Sequence, residues 1–431
     1  MTIVNVVDAP CGYGKTSWAI DYMNSMPKDS HQFIYVTPFL DEVKRVKDSI
    51  INRVFHEPQA VKGETKLEDV HKLLGQGNDI VTTHALFQMA TAETMELIRV
   101  NNYTLILDEV LNVIEQIPLK KSDLKLLEEA DAIRIIKKEN GLKYIEWNDD
   151  KKDYDTKYNN IKKMALTNNL MYCDNSALIW NLPCELFSLF QNVFILTYMF
   201  KGQIQKAYYD LHGVGYRYLS VIKENDGYVL VPYKDRVPYD KESLIRKINI
   251  YDGHLNKVGD KSFSLSKGWF EKPINKELVK KLRNNAINYF MNICKETSEK
   301  VMWTTIKGDK DRIKKQVTPK GYKGSFLSMT SRATNDYKEK SCMAYLVNRY
   351  INPITKQFFE QYGVKIDQET WAVAELIQWI WRSRIRDELP IQIYIPSKRM
   401  RDLLNTYLHS EKYEEAPAKA IIDEPSSDWN L

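Results

Sequence analysis

A short apolar segment, residues 3–7, runs directly into a glycine-bearing turn followed by a Lys-Thr pair. An apolar run of this length predicts a buried strand, and the residues after the turn predict a helix that begins near Lys15. Gly12 and Gly14 allow the backbone to curl so that successive N–H groups point at one centre. A strand, a glycine turn and a helix in this order are typical of sites that hold phosphate groups.

The phosphate loop predicted from this order comprises Ala9, Pro10, Cys11, Gly12, Tyr13, Gly14, Lys15, Thr16 and Ser17. Lys15 can reach the β- and γ-phosphates of ATP, and the hydroxyl of Thr16 can ligate Mg²⁺. Ala9 stands where such loops usually have their first glycine. An ordinary turn between a strand and a helix is the alternative. We favour nucleotide binding because Gly-x-Gly-Lys-Thr directly follows an apolar strand.

Composition limits the class of protein. A chain of 431 residues with 43% hydrophobic and 28% charged residues is typical of a globular protein with about two or three domains. No apolar run approaches the roughly 20 residues that span a bilayer, and the chain enters a strand at once, so neither a membrane partner nor a signal peptide is expected. Five scattered cysteines favour a reducing cytoplasm. The net charge of +5 permits a nucleic-acid partner without requiring one.

Strands alternate with helices in the first half of the chain. Apolar runs predict strands at 33–38, 79–84, 103–109 and 193–197. Helix-like stretches lie between the first three of these runs. This alternation predicts an α/β fold with a parallel sheet, in which ligands bind at the carboxyl ends of the strands. Every polar motif of this half lies at such an end. We place the first domain at residues 1–205.

One segment of the first domain breaks the alternation. Residues 133–147 flank Asn140-Gly141, a strong hairpin signal, inside an insertion at about 115–190. Tyr144 and Trp147 lie on this hairpin. Two interpretations stay open with equal weight: a wedge or clamp that acts on nucleic acid, and a surface excursion without a role.

The second half predicts another α/β unit at 206–410. Asp226-Gly227 marks a second hairpin, and apolar runs at 301–305, 324–329 and 391–395 predict strands. A long amphipathic helix is predicted from Trp371 to Arg386. The final segment, 411–431, is acidic and rich in Pro, Ala and Ser, which predicts a disordered tail. Such a tail could bind a protein partner.

Two groups of side chains complement the phosphate loop. Asp108 follows an apolar strand and can hold Mg²⁺, while Glu109 can orient and activate an attacking water. Gln378, Arg382 and Arg386 recur every four residues and therefore share one face of the predicted helix. Guanidinium groups there could clamp a polyphosphate. The alternatives are acidic residues at the start of a helix and a solvated basic face.

These motifs, in this order, resemble those of the superfamily 2 helicases, particularly compact phage-encoded, DEAD-box-like members. The resemblance covers nearly the whole chain. Residues 9–16 match the Ala-x-x-Gly-x-Gly-Lys-Thr form of the loop, and residues 108–111 match the Asp-Glu-x-x box. Residues 378–386 fall where the arginine-bearing motif is expected, but Trp381 replaces its glycine and Ile385 its second arginine. Which of Arg382, Arg384 and Arg386 contacts the γ-phosphate is therefore open.

The resemblance implies two RecA-like lobes with parallel sheets, with ATP and Mg²⁺ bound between them. The implied catalytic residues are Lys15, Asp108, Glu109, Gln378, Arg382 and Arg386, and the implied metal ligands are Thr16 and Asp108. Nucleic acid would cross both lobes. The residues implied to contact its backbone are Thr37, Pro38, Thr83, His84, Arg332, Thr334 and Asn335.

The function implied by the resemblance is a nucleic-acid-dependent ATPase that translocates on DNA and unwinds it in phage replication or recombination. Its expected partner is single-stranded or forked nucleic acid, DNA in preference to RNA, in the cytoplasm of the host. A translocase or remodeller that does not unwind remains an alternative, as does an RNA helicase. A P-loop kinase has less support, because it would not need a second α/β unit with Gln378 and two arginines.

Overall fold

The computed structural model describes residues 2–28, 30–61, 63–174, 177–225, 227–329 and 337–413. Within these residues the chain forms an eight-stranded sheet, a five-stranded sheet and a four-stranded sheet. The predicted α/β fold is therefore confirmed. No helix among the described residues is both long enough and apolar enough to cross a membrane.

The first sheet contains the strands that precede every polar motif of the first half. Its order is β13–β12–β1–β11–β5–β2–β4–β3, and all neighbours run parallel except the antiparallel pair β12–β13. The eight strands are β1 (Val4–Asp8), β2 (Gln32–Thr37), β3 (Phe55–His56), β4 (Asp79–Thr83), β5 (Tyr103–Asp108), β11 (Asn192–Thr197), β12 (Tyr216–Glu224) and β13 (Gly227–Pro232).

Central position explains the uniformly apolar strands of this sheet. β1, β5 and β11 lie side by side, and almost every residue in them is buried because helices cover both faces. The helices of this part of the chain are α1 (Lys15–Ser25), α2 (Leu40–Ser49), α3 (Lys66–Gly75), α4 (His84–Phe87), α5 (Ala92–Val100) and α8 (Ile204–His212). The strands predicted from apolar runs in residues 1–205 are all present.

The first sheet extends beyond the expected domain boundary at residue 205. β12 pairs with β1 in parallel, and β13 pairs with β12, so both belong to this sheet. The hairpin predicted at Asp226-Gly227 is present as this antiparallel pair, with Asp226 itself outside the described residues. The first sheet thus ends at Pro232, and the second α/β unit starts after it.

The insertion folds as a sheet of its own. Its order is β6–β10–β9–β8–β7, entirely antiparallel. The predicted hairpin at 133–147 is the pair β7–β8, and Tyr144 and Trp147 are buried, Trp147 in the small core under this sheet. The elements are β6 (Ile114–Ile117), β7 (Ile133–Lys137), β8 (Lys143–Trp147), β9 (Leu170–Cys173) and β10 (Ala177–Asn181), with helices α6 (Lys121–Glu129) and α7 (Asn159–Leu166).

The third sheet is parallel throughout, in the order β14–β17–β16–β15. Its strands are β14 (Ile248–Ile250), β15 (Val301–Thr304), β16 (Cys342–Tyr345) and β17 (Ile391–Tyr394). Hydrophobic clusters lie on both faces. The helices are α9 (Lys241–Lys247), α10 (Lys267–Glu271), α11 (Lys276–Asn288), α12 (Arg312–Val317), α13 (Pro353–Glu360), α14 (Gln368–Ile380) and α15 (Lys398–His409).

Two predictions for the second unit were wrong. Residues 324–329 do not form a strand: a 3₁₀ turn spans Lys323–Ser325, and a single bridge joins Phe326 to Trp303. The strand that pairs with β15 is instead β16, which was not predicted. The long helix predicted from Trp371 to Arg386 ends at Ile380, and the arginines lie beyond it. The predicted tail falls mostly outside the described residues.

Candidate nucleotide site

The phosphate loop is held in the conformation that its glycines permit. Gly12 and Gly14 both have a φ of +86°, in the left-handed region that side chains disfavour. Helix α1 begins immediately afterwards, at Lys15. A Cβ atom on Gly14 would stand 1.9 Å from Cε1 of Tyr228, which belongs to the edge strand β13. Gly14 is therefore required twice, by its backbone angle and by the ring packed against it.

The amino group of Lys15 folds back over the loop that carries it. Its Nζ donates to the carbonyl oxygens of Ala9, at 2.6 Å, and Pro10, at 3.0 Å. Thr16 and Ser17 follow on the first turn of α1, and both line the same cleft. An ammonium group that is bonded to neutral carbonyls keeps its positive charge available for an anion. The loop thus presents one cation and the start of a helix to the cleft.

Two carboxylates, Asp108 at the end of β5 and Glu109 just beyond it, line the same cleft as the phosphate loop. Burial raises the pKa of Asp108 from 3.8 to about 7, and the negative charges of Glu109 and Glu42 add to the shift. Glu109 has a φ of 75°, and its buried Oε2 atom has no hydrogen-bond partner among the described residues. Strain and an unsatisfied buried oxygen in one residue are typical of functional positions. A bound cation would relieve both the charge repulsion and the missing contact.

The arginine segment reaches the cleft by a turn rather than along a helix. After α14 ends, the N–H of Ser383 bonds to the carbonyl of Ile380, and a 3₁₀ turn covers Arg384–Asp387. Arg382 and Arg386 line the cleft together with Gln378, whereas Arg384 donates from Nε to the carbonyl of Pro390. The Nε of Arg382 is buried without a hydrogen-bond partner among the described residues.

The predicted residues meet in one cleft of about 330 Å³. Contributions come from the phosphate loop, the segment from Pro38 into α2, the end of β5, the edge strand β13, and the end of α14 with the residues that follow it. The residues that line the cleft are Cys11, Gly12, Gly14, Lys15, Thr16, Ser17, Pro38, Glu42, Arg45, Asp108, Glu109, Tyr228, Gln378, Trp381, Arg382 and Arg386. Ala9, Pro10 and Tyr13 do not line it, although Ala9 and Pro10 bond to Lys15 from behind.

Four of the lining residues were not predicted. Glu42 and Arg45 form an ion pair of 2.6 Å one turn apart on α2, a spacing that the sequence displays. Tyr228 had been assigned to the second unit, so nothing in the sequence connected it with the loop. Trp381 was noted only as a departure from the arginine-bearing motif.

Aromatic rings join the loop to the arginine segment. The hydroxyl of Tyr239 donates to the carbonyl of Cys11 at 2.7 Å, and its ring lies 4.6 Å from that of Trp381. Tyr13 packs edge-on against Tyr239 at 5.1 Å. Burial raises the pKa of the Cys11 thiol, while the charges of Lys15 and Arg382 oppose that rise. Because Tyr239 touches both sides, the first and second units are in direct contact behind the cleft.

The residues predicted to contact nucleic acid do not form one group in the structure. Thr37 is fully buried at the end of β2, and Pro38 lines the cleft. Thr83 caps α4, where its hydroxyl accepts from the N–H of Leu86, and Nε2 of His84 lies 3.1 Å from the carbonyl oxygen of Asp108. The remaining predictions, Arg332, Thr334 and Asn335, lie outside the described residues.

Three solved structures resemble the chain over most of its length. One named XPD_APO is 12% identical and matches 94% of this chain and 95% of its own, with a TM-score of 0.48. Xpd4 of S. tokodaii is 11% identical over 95% of both chains, with a TM-score of 0.47. The DUF1998 helicase MrfA bound to DNA and AMPPNP is 9% identical over 94% of this chain and 48% of its own, with a TM-score of 0.35.

Sequence comparison gives a much nearer relative. Residues 114–180 match the model of the YonV middle domain and coincide with the five-stranded sheet. Residues 242–408 match the model of the YonV C-terminal Rossmann-like domain. The SPbeta prophage-derived uncharacterized protein YonV of Bacillus subtilis (strain 168) is 43% identical over 422 residues, which cover 96% of this chain and 100% of that protein. The chain belongs to the YonV family.

Proposed function

We propose that this protein hydrolyses ATP in the cleft between its first and third sheets and uses the energy to move along nucleic acid. One observation carries the proposal: a phosphate loop with its carboxylates and a separate pair of arginines line the same cleft from two different units. Arginines placed opposite a phosphate loop stabilise the charge that develops during phosphoryl transfer. Such a site is complete only while the two units stay in contact.

Each side chain has a distinct task in this proposal. Lys15 neutralises the β- and γ-phosphates, and Arg382 meets the developing charge from the other side. Glu109 accepts the proton of the attacking water, for which its unpartnered Oε2 is suited. Gln378 and Arg386 orient the terminal phosphate.

Thr16 and Asp108 are the residues that would hold Mg²⁺. Both line the cleft, and oxygen atoms are the ligands that this ion prefers. Among the described residues, no three His, Cys, Asp or Glu side chains form a metal cluster. When bound there, the ion would neutralise charge on the phosphate groups.

The polymer in this proposal is single-stranded or forked DNA, with unwinding as the outcome of movement. The prophage origin in the name of the Bacillus subtilis relative supports a role in phage DNA replication or recombination. Movement follows if the cleft closes on ATP and opens after hydrolysis. A translocase that does not separate strands and an RNA helicase use the same cleft, so the assay below includes both substrates.

ATP turnover in three variants tests the site. Lys15→Ala should abolish hydrolysis and weaken ATP binding, whereas Glu109→Gln should bind ATP and fail to turn it over. Arg382→Ala should lower kcat by about 10²- to 10³-fold with a smaller effect on ATP affinity. Arg384→Ala is the matched control, because Arg384 does not line the cleft. Parental turnover in Lys15→Ala, or equal effects at the two arginines, contradicts the proposal.

The polymer is tested by the same turnover assay with single-stranded DNA, duplex DNA and RNA, together with strand separation on a forked DNA. Stimulation by single strands with separation of the fork supports a helicase. Stimulation without separation identifies a translocase or remodeller. Turnover that no polymer alters leaves only the ATPase.

A further inference from the structure

A second cavity lies on the other side of Pro38 from the nucleotide cleft. Its volume is about 290 Å³, and it is bounded by the carboxyl edge of the first sheet on one side and by α14 on the other. Pro38 lines both cavities, and the residues that follow Glu109 form part of its wall. A ligand in this cavity would thus touch the segment that carries the two carboxylates.

One buried amide in the wall lacks a partner. Gln203 is 3% exposed, and its Nε2 has no hydrogen-bond partner among the described residues. Its neighbour Gln205 is satisfied, because it accepts from the N–H of Leu111 at 2.7 Å and donates to Tyr209. Buried amide donors in native proteins are nearly always paired, so Gln203 indicates a missing acceptor.

Two aromatic rings face the same cavity. Phe39 is 37% exposed, although it lies at the start of α2 beside the sheet edge. Trp371 is held in place by Arg349, whose guanidinium lies 4.6 Å from the centre of its ring and also pairs with Glu375 at 3.1 Å. These rings offer flat apolar surfaces, and a positioned ring loses little entropy when a planar ligand stacks on it.

A close backbone approach fixes Gln203 beside Trp371. A Cβ atom on Gly202 would stand 2.6 Å from the backbone nitrogen of Trp371, so only glycine fits at that position. The cavity wall contributed by the first unit and the wall contributed by α14 are therefore in contact at one edge. This contact keeps the unpartnered amide and the ring in the same small space.

The cavity offers little attraction to a phosphate group. Among the described residues its lining includes neither lysine nor arginine, and its one carboxylate, Glu375, is already paired with Arg349. An anion would therefore find no lining cation to bind. A neutral planar group with hydrogen-bond acceptors at its edge fits the rings and the amide together.

We propose that this cavity receives one nucleobase of the bound single strand. The inference rests on the proposed function. Acceptors on the base edge pair with Nε2 of Gln203, and the base stacks against the exposed ring of Phe39. Occupancy is communicated to the nucleotide cleft through His84, which lines the cavity and lies 3.1 Å from the carbonyl oxygen of Asp108. The base is thus bound beside the residues through which the single strand would influence ATP hydrolysis.

The test compares binding of two fluorescent oligonucleotides of equal length, one of normal deoxythymidine and one with abasic sites throughout, by anisotropy. The wild type should bind the normal strand more tightly. Phe39→Ala should weaken binding of the normal strand by about 5- to 150-fold, the range expected for one lost base stack, and leave the abasic strand unaffected. Tyr154→Ala removes a ring that is 72% exposed in the loop between β8 and α7, and it should change neither affinity.

A second variant addresses the amide. Gln203→Met keeps the length of the side chain, and it should reduce the differences in affinity among homopolymers of the four bases. Equal binding of normal and abasic strands by the wild type overturns the base pocket, as does an equal loss for both strands in Phe39→Ala. If the wild type binds neither strand, the pocket and the proposed nucleic-acid function fail together, while ATP turnover remains as a separate measurement.

Discussion

Asp108→Asn should make the protein more stable at pH 8 and leave its stability almost unchanged at pH 4. The pKa of Asp108 is raised from 3.8 to about 7 by burial and by two neighbouring carboxylates. The native state therefore keeps this proton over a pH range in which the unfolded chain has released it. The contribution of Asp108 to the free energy of unfolding is therefore fully present below the pKa that this carboxyl has in the unfolded chain. It is lost as the pH rises to the pKa of the same carboxyl in the native state. Asparagine cannot ionise and does not share that loss.

The size of the effect follows from the shift. About three pKa units at about 1.4 kcal/mol each give about 4 kcal/mol as an upper bound. Asp108 is only partly buried, so solvent screens part of the interaction and we expect about 2 kcal/mol. The advantage of the variant should grow between pH 4 and 7 and stay level above that.

Urea denaturation followed by tryptophan fluorescence at pH 4, 5, 6, 7 and 8 measures this difference, because groups common to both proteins cancel. Glu128→Gln on α6 is the control, since Glu128 is exposed and does not line the cleft. A difference between Asp108→Asn and wild type that is constant across this range refutes the reasoning. So does a variant that is less stable at pH 8.

Two further predictions concern the loop and the inserted sheet. Gly14→Ala should abolish ATP binding and lower the free energy of unfolding by roughly 1–3 kcal/mol or more, because backbone strain adds to a clash with Tyr228. Gly12 has the same φ but open space around it, so Gly12→Ala should lower the free energy of unfolding by less. Thermal melts and nucleotide titration measure both effects. Replacing the turn at 138–141 by Gly-Ser should leave strand separation unchanged, because Tyr144 and Trp147 are buried and cannot act as a wedge. Loss of unwinding with intact ATPase activity would contradict this prediction.

The strands of the first sheet were predictable because they are central. A strand that is buried on both faces must be apolar along its whole length, and the polar motif at its end marks where burial stops. The edge hairpin β12–β13 was also visible, but its membership of the first sheet was not. Strand pairing between β1 and β12 joins residues about 212 positions apart, and no local pattern records such a contact.

The lining of the cleft was predictable where a sequence motif contributes to it, and not elsewhere. The loop, the two carboxylates and the arginine segment each have a recognisable local order, and all three line one cleft. Tyr228 and Trp381 reach it only through tertiary packing. The second cavity could not be predicted at all. The unpaired donor on Gln203 becomes visible only when the side chains around it are known.

The segment after α14 brings two of the predicted arginine residues to the cleft, although the helix predicted for them was wrong. Ala372, Val373, Leu376, Ile377 and Ile380 are all fully buried, and they share one face of α14. Arg382 and Arg386 lie at helical spacing from Gln378, which lines the cleft from another face of this helix. The helix nevertheless ends before them: the backbone of Ser383 is extended, and its hydroxyl accepts from the N–H of Ile385, which begins a new turn.

After the break in the helix, the side chains of this segment enter two different environments. Ile385 is buried with the third sheet, while Arg382 and Arg386 line the cleft. Across the cleft Glu109 stands in an equally irregular position, just beyond β5 with a positive φ. The charged groups thus lie where regular structure stops on both sides, because only there can a side chain leave a core that is otherwise apolar. Period-four spacing singled out the two arginines that line the cleft, and the chain passes along the cleft through a turn that Ser383 caps.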